Sequence, residues 1–169
     1  GAAAAGRSAT LREAVAEPRF WLLFAMLGLL TGAGMEVSNH LELLAAGAGW
    51  RAAAAVEYFA AGNSLARLLL GCGSDALAQR VSRSAFLVAS TLNMAVGLLL
   101  AGLLPGSPAA ARAAAVLCGF SFGSPWTLVP AIELEWYGEG SFGRIHGVMM
   151  LAAAAGVAAV RLEALALPG

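Results

Sequence analysis

The chain has 169 residues, 60% of them apolar and 12% charged; ten arginines and ten acids cancel to a formal charge of zero, with no lysine. A soluble domain usually carries about 25% charge, and a surface with so few charges would leave a large apolar patch in water. With a mean hydropathy of +0.78, the composition argues against an ordinary aqueous globule and makes the lipid bilayer the expected partner; no basic excess calls for a nucleic-acid partner.

In chain order, residues 1–17 read as a linker followed by a short amphipathic lead-in, without the apolar core of a signal peptide. The opening Gly1-Ala2-Ala3, in place of Met, and the stop at Pro168-Gly169 after a charged stretch are those expected of a piece of a longer protein. Residues 18–169 read as a partial C-terminal transmembrane domain. A membrane helix needs about 20 mostly apolar residues. Five stretches qualify, at about residues 20–44, 52–71, 85–104, 113–132 and 142–160. The expected fold is therefore all-α, a polytopic bundle of about five transmembrane helices. The intervening segments Gly47–Arg51, Ser74–Ser84, Pro105–Arg112 and Glu133–Ser141 are short, which makes neighbouring helices antiparallel. Arg7, Arg12, Arg19, Arg80, Arg83 and Arg144 then fall on one side, and Arg51, Arg112 and Arg161 on the other. Six against three favours a cytoplasmic N-terminal side. Gly28 and Gly32, Gly119 and Gly123, and Gly143 and Gly147 are each four apart. That spacing either lets neighbouring backbones approach closely or arises by chance among 21 glycines. Cys72 and Cys118 lie in apolar runs and read as small buried residues, not a disulfide framework. No metal-ligand spacing is present, and no cofactor is expected.

A charged group at the centre of a bilayer costs about 2.5–3.5 kcal/mol on insertion scales, so each polar residue within a span needs a reason. Glu36, Asn39 and His40 share one helix face by their offsets of three and four. They read as a substrate or proton site, His40 sharing a proton or hydrogen bond with Glu36, or as interfacial residues, since Glu36 lies about 24 Å along the helix from Phe20. Glu57 and Ser64 superimpose down the second helix, with Asn63 beside them, as pathway residues or as an interfacial group. Arg67, Gly71 and Asp75 follow at offsets of four, with Ser74, Arg80 and Arg83 adjacent. Arg67 can pair with Asp75 or a partner helix, and such a cluster can lock helices in one state and release them in another; the alternative is a snorkelling arginine. Pro125 interrupts the fourth helix and Pro130 closes it; the two free backbone carbonyls and bend the helix beside Trp126, which either lines a cavity or packs on the next helix.

Three stretches together resemble the major facilitator superfamily, nodulin-like branch, C-terminal half. They are Phe20-Trp21-Leu22-Leu23-Phe24 with Gly32-Ala33-Gly34-Met35-Glu36-Val37-Ser38-Asn39; Asn63-Ser64-Leu65-Ala66-Arg67 through Gly71 to Ser74-Asp75; and Trp126-Thr127-Leu128-Val129-Pro130-Ala131-Ile132 with Glu135 and Phe142-Gly143. The resemblance runs from about Arg19 to the C-terminus. It implies helices seven to eleven of a twelve-helix carrier, with the N-terminal helical half as the missing partner. It also implies that Arg67, Gly71, Ser74, Asp75 and Arg80 form a cytoplasmic gate motif. Ala66 in place of the motif's leading glycine, Glu36 and His40 in the first helix, and Arg144-Ile145-His146 after Phe142-Gly143 depart from the family pattern.

The function these features imply is a fragment of a secondary transporter of a small solute, working by alternating access. The substrate-or-proton pathway candidates are Glu36, Asn39, His40, Glu57, Asn63 and Trp126. The alternatives are a structural or sensory membrane protein without transport, and a soluble Ala-rich helical array. An enzyme is not expected: His40 and His146 fall toward opposite sides, and no nucleophile–base pair can be assembled from them.

Overall fold

The structure, a computed structural model, describes residues 8–77 and 80–166, with the side chains of 162–166 excepted. Arg7 and the start of the 1–17 linker lie outside the described residues. Every regular element described is helical. After a six-residue lead-in, α1 (Leu11–Ala16), come α2 (Pro18–Asn39) and its short continuation α3 (Leu41–Gly47). Then follow α4 (Ala52–Leu77), α5 (Arg83–Leu103), α6 (Pro108–Gly123), α7 (Pro125–Tyr137), a 3-10 turn at Glu139–Ser141 and α8 (Phe142–Ala166).

The helix starts follow local chemistry. Thr10 and Glu13 make a reciprocal capping box on α1. The Ser82 and Ser107 hydroxyls accept from the amides of Ala85 and Ala110 at the starts of α5 and α6. Pro18, Pro108 and Pro125 occupy first helical positions, where a missing N–H costs no intrahelical bond.

Four helical segments among the described residues are long and apolar enough to cross a bilayer: Pro18–Asn39, Arg83–Leu103, Pro108–Tyr137 and Glu139–Arg161. The chain is therefore an integral membrane bundle of all-α class. The expected count of five changes in one respect. Helix α4 has 26 residues, about 39 Å at the helical rise, but Glu57, Asn63 and Arg67 interrupt its apolar run, and it is not among the four. Two expected spans are segmented. The first breaks at His40, and the fourth begins earlier and runs farther than residues 113–132, with a break at Ser124. Pro130 does not close that helix but sits inside α7, which continues to Tyr137. Glu133 therefore belongs to a helix and not to a connecting loop.

Close backbone contact organises the bundle. Helix α6 runs along both α4 and α5, and α8 docks chiefly on α2. At the α4–α6 crossing, a Cβ on Gly62 would strike the Val116 carbonyl, one on Gly119 the Phe59 carbonyl, and one on Gly123 would sit 2.5 Å from the Asn63 carbonyl. At the α2–α8 crossing, a Cβ on Gly32 would stand 2.7 Å from the Gly156 carbonyl, and one on Gly28 3.0 Å from that of Ala152. Two of the three glycine pairs thus lie at helix crossings. Gly143 and Gly147 do not: a Cβ on either meets nothing within 4 Å.

These contacts predict an asymmetry. Gly119→Val should destabilise the protein by about 1–3 kcal/mol, as expected for overpacking, whereas Gly147→Ala should cost nothing. Unfolding midpoints in detergent measure both, and equal losses would contradict the packing described.

Candidate functional site

At the end of the bundle where α2 begins, Arg83 joins three helices. The start of α5, fixed by the Ser82 cap, sets its guanidinium between α4 and α7. It donates from Nη2 to Asp75 Oδ1 at 2.8 Å and from Nη1 to Glu135 Oε2 at 2.7 Å. Arg67 does not pair with Asp75. Its Nε donates to Asn63 Oδ1 at 3.0 Å, one turn back on its own helix. Ser74 is buried, with its hydroxyl 3.5 Å from the Gly71 carbonyl. Arg80 is exposed in the turn before α5. Of the residues expected at a gate, Asp75 is thus in the interhelical cluster, and Arg83 and Glu135 complete it. The lead-in caps the same end: Ala9 N–H donates to the Tyr137 carbonyl, and the Arg19 guanidinium, bonded to Glu17, lies 5.0 Å from the Trp136 ring centre.

Farther into the bundle, α6 and α7 meet at a proline break. Pro125 has no N–H to donate to the Ser121 carbonyl four residues back. The Ser124 hydroxyl donates to that carbonyl instead, at 2.9 Å. Asn93 of α5 donates to the Ser121 hydroxyl and to the Leu117 carbonyl, both at 2.9 Å. The polar groups at the break thereby find partners within the bundle, as a lipid setting requires. Just past the break, Trp126 is partly exposed and lines an open groove of about 480 Å³ with Thr31, Met35, Phe122, Ala153 and Val157. The groove is apolar, because the Thr31 hydroxyl is turned inward onto the Leu27 carbonyl at 2.6 Å. Asn63 lies against Gly123, and a Cβ on Gly71 would be 3.5 Å from the Thr127 methyl. The Asn63–Arg67–Gly71 stretch of α4 therefore flanks the start of α7.

At the opposite end, His40 Nδ1 is 3.0 Å from both the Glu36 carbonyl and its Oε1. Both side chains are substantially exposed, as is Asn39. His40 lines a separate pocket of about 300 Å³ between the α2–α3 break and the α5–α6 turn. Glu57 is exposed on α4. These residues do not converge with Trp126.

The sequence did not single out the most deeply buried ionisable pair. Glu133 of α7 is 0% exposed, and its Oε2 is 2.7 Å from Nδ1 of His146 on α8. Among the described residues, its Oε1 has no hydrogen-bond partner. The available signal was an acid three residues past Pro130, two residues before Glu135, in a mainly apolar run; taking the proline as the helix end concealed it. No group of three or more possible metal ligands occurs among the described residues.

Fold and site together define an integral membrane protein built as a helical bundle, with Arg83 and the Glu133–His146 pair making polar ties between helices. No family model matches the chain. In a match 153 positions long that covers 84% of the chain, it is 30% identical to the uncharacterized MFS-type transporter YhjX of Escherichia coli (strain K12). The chain spans about a third of that relative's length, 35%.

The shared clamp makes a graded prediction. Arg83 keeps one acceptor when either acid is removed, so Asp75→Asn and Glu135→Gln should each cost about 0–1 kcal/mol. Arg83→Gln should cost more than either, measured by unfolding midpoint in detergent. A Glu135→Gln loss equal to that of Arg83→Gln would refute a shared clamp.

Proposed function

We propose that the chain is the greater part of the C-terminal half of a secondary transporter of the major facilitator kind, which moves a small solute by alternating access together with a preceding N-terminal half. The observation that carries this reading is the discontinuity at Ser124–Pro125. It sets Trp126 on an open groove between α2, α7 and α8, while the α4 stretch carrying Asn63 and Arg67 flanks the start of α7. Broken helices at the middle of a bundle are where transporters hold their substrates. The 30% likeness to an MFS-type transporter over most of the chain supports the same reading and favours a carrier over an enzyme. The finer nodulin-like assignment rests on the stretch Trp126–Ile132 with Glu135 and Phe142-Gly143.

In this reading α4 crosses the bilayer despite its charges, with Asn63 and Arg67 on the stretch beside the start of α7. The N-terminal side is cytoplasmic, on the arginine count. The Arg83–Asp75–Glu135 cluster holds the cytoplasmic gate closed, and separation of α4 and α7 from α5 opens it. Glu36, Asn39, His40 and Glu57 belong to the outer end of the pathway. Arg67 brings a fixed positive charge to the α4 stretch beside the start of α7, which favours a small anionic solute.

The test is uptake into proteoliposomes by the full-length protein, with a panel of radiolabelled mono- and dicarboxylates. At least one should enter faster than in protein-free vesicles, and Arg67→Gln should slow that uptake about tenfold or more, the scale of a lost charged hydrogen bond. A folded, inserted protein that takes up none of the panel contradicts the proposal and favours a non-transporting membrane protein.

A further inference from the structure

We propose that Glu133 and His146 form a proton-binding site that couples protonation to the separation of α7 from α8. The proposal rests on the transporter reading for its role, but not for its existence. The pair lies about one helical turn, roughly 6 Å, inside the end of the bundle: Glu133 is four residues before the end of α7, and His146 four after the start of α8. Glu133 is wholly buried, whereas the His146 side chain is 28% exposed. The Phe142 ring stacks on the imidazole at 5.1 Å between centres and fixes its plane. One member thus faces protein and the other has a way out.

The surrounding charges are already committed. From α2, Arg19 lies over the Trp136 and Tyr137 rings and is bonded to Glu17. From α5, Arg83 is held by Glu135 and by Asp75 of α4. On α8, Arg144 is exposed. On α7 itself, Tyr137 is buried one turn beyond Glu133. Among the described residues, His146 is the cationic partner of the Glu133 carboxyl.

Proton count follows from that isolation. In the packed state the pair is neutral with one shared proton, as carboxylate and imidazolium or as carboxylic acid and imidazole. Removing the proton would leave a buried anion with an unbonded Oε1, and adding a second would leave a buried cation; both are disfavoured without water. When α8 moves away, water reaches both groups. At pH above the ordinary imidazole value of about 6.5 and the carboxylate value of about 4.3, the separated pair holds no proton. One proton therefore passes from the pair to water on opening, leaving by way of His146, and one must rebind before the helices can repack. The packing suits this movement: α8 is docked on α2 through Gly28, Gly32 and Gly156, while Glu133–His146 is its polar tie to α7. The exposed Glu36–His40 pair lies at the other end and lacks such burial.

The experiment needs no known solute. The full-length protein, labelled with 15N-histidine and held in lipid nanodiscs, is titrated by NMR, with His146→Asn identifying the His146 signal. Glu133→Gln should change the pH dependence of the His146 signal, and Glu36→Gln should leave it in place. A His146 titration identical with and without the Glu133 carboxylate overturns the site. If Glu133→Gln does not insert, infrared detection of the protonated carboxyl decides instead. His146→Asn should shift the pH at which the acid band disappears, and an unshifted band overturns the site. In pyranine-loaded vesicles, proton movement accompanying uptake should be lost in Glu133→Gln while solute exchange persists. Proton movement that persists in this variant overturns the coupling even if the NMR shift is found. Absence of uptake for every solute overturns the transporter reading alone, because the titration stands without it.

Discussion

Everything in this bundle depends on how closely helix backbones approach where lipid gives no hydrophobic drive for them to meet. In hydrocarbon, helices associate by van der Waals packing and interhelical hydrogen bonds. Gly62, Gly119 and Gly123 bring α4 against α6, and Gly28, Gly32 and Gly156 bring α2 against α8. At such separations a single methyl group meets a carbonyl oxygen. The contact also retains α4, the helix least suited by composition to lipid, by covering one face with α6 and leaving Asn63 and Arg67 beside the proline break.

Polar groups are then distributed by what the packing leaves available. Asn93, Ser121 and Ser124 form a hydrogen-bonded chain that compensates the bond Pro125 removes. Arg83 gathers two acids from different helices at one end. Glu133 and His146 supply the polar tie between α7 and α8. The joints among α4, α5, α7 and α8 near that end thus run through charge or protons, while α2–α8 and α4–α6 run through glycine. A bundle built this way has rigid pairs and switchable joints, as motion between discrete packed states requires.

The membrane class was legible from composition alone, since 12% charge cannot cover a soluble surface. The break at Pro125 and the closeness of Glu36 to His40 were legible from local rules, because both depend on residues within one turn. The partner of Asp75 was not: Arg83 is adjacent only after α4 and α5 fold back on each other, and Arg67 is satisfied within its own helix by Asn63. Glu133 was missed because proline was read as a terminator. In the bundle, tertiary packing carries α7 past Pro130, whose loss of one backbone bond is not enough to end it. Gly143 and Gly147 have the same spacing as the pairs that pack, so spacing alone does not reveal which glycines meet a neighbour.

The central claim is that α4, charged residues included, crosses the bilayer as a member of this bundle. It is tested most directly with single cysteines at Arg51 and Arg80, one beyond each end of α4, in full-length protein carrying Cys72→Ser and Cys118→Ala. A membrane-impermeant maleimide applied to intact cells should label Arg51→Cys, and should label Arg80→Cys only after the membrane is opened. Labelling of both positions from the same side would contradict the account.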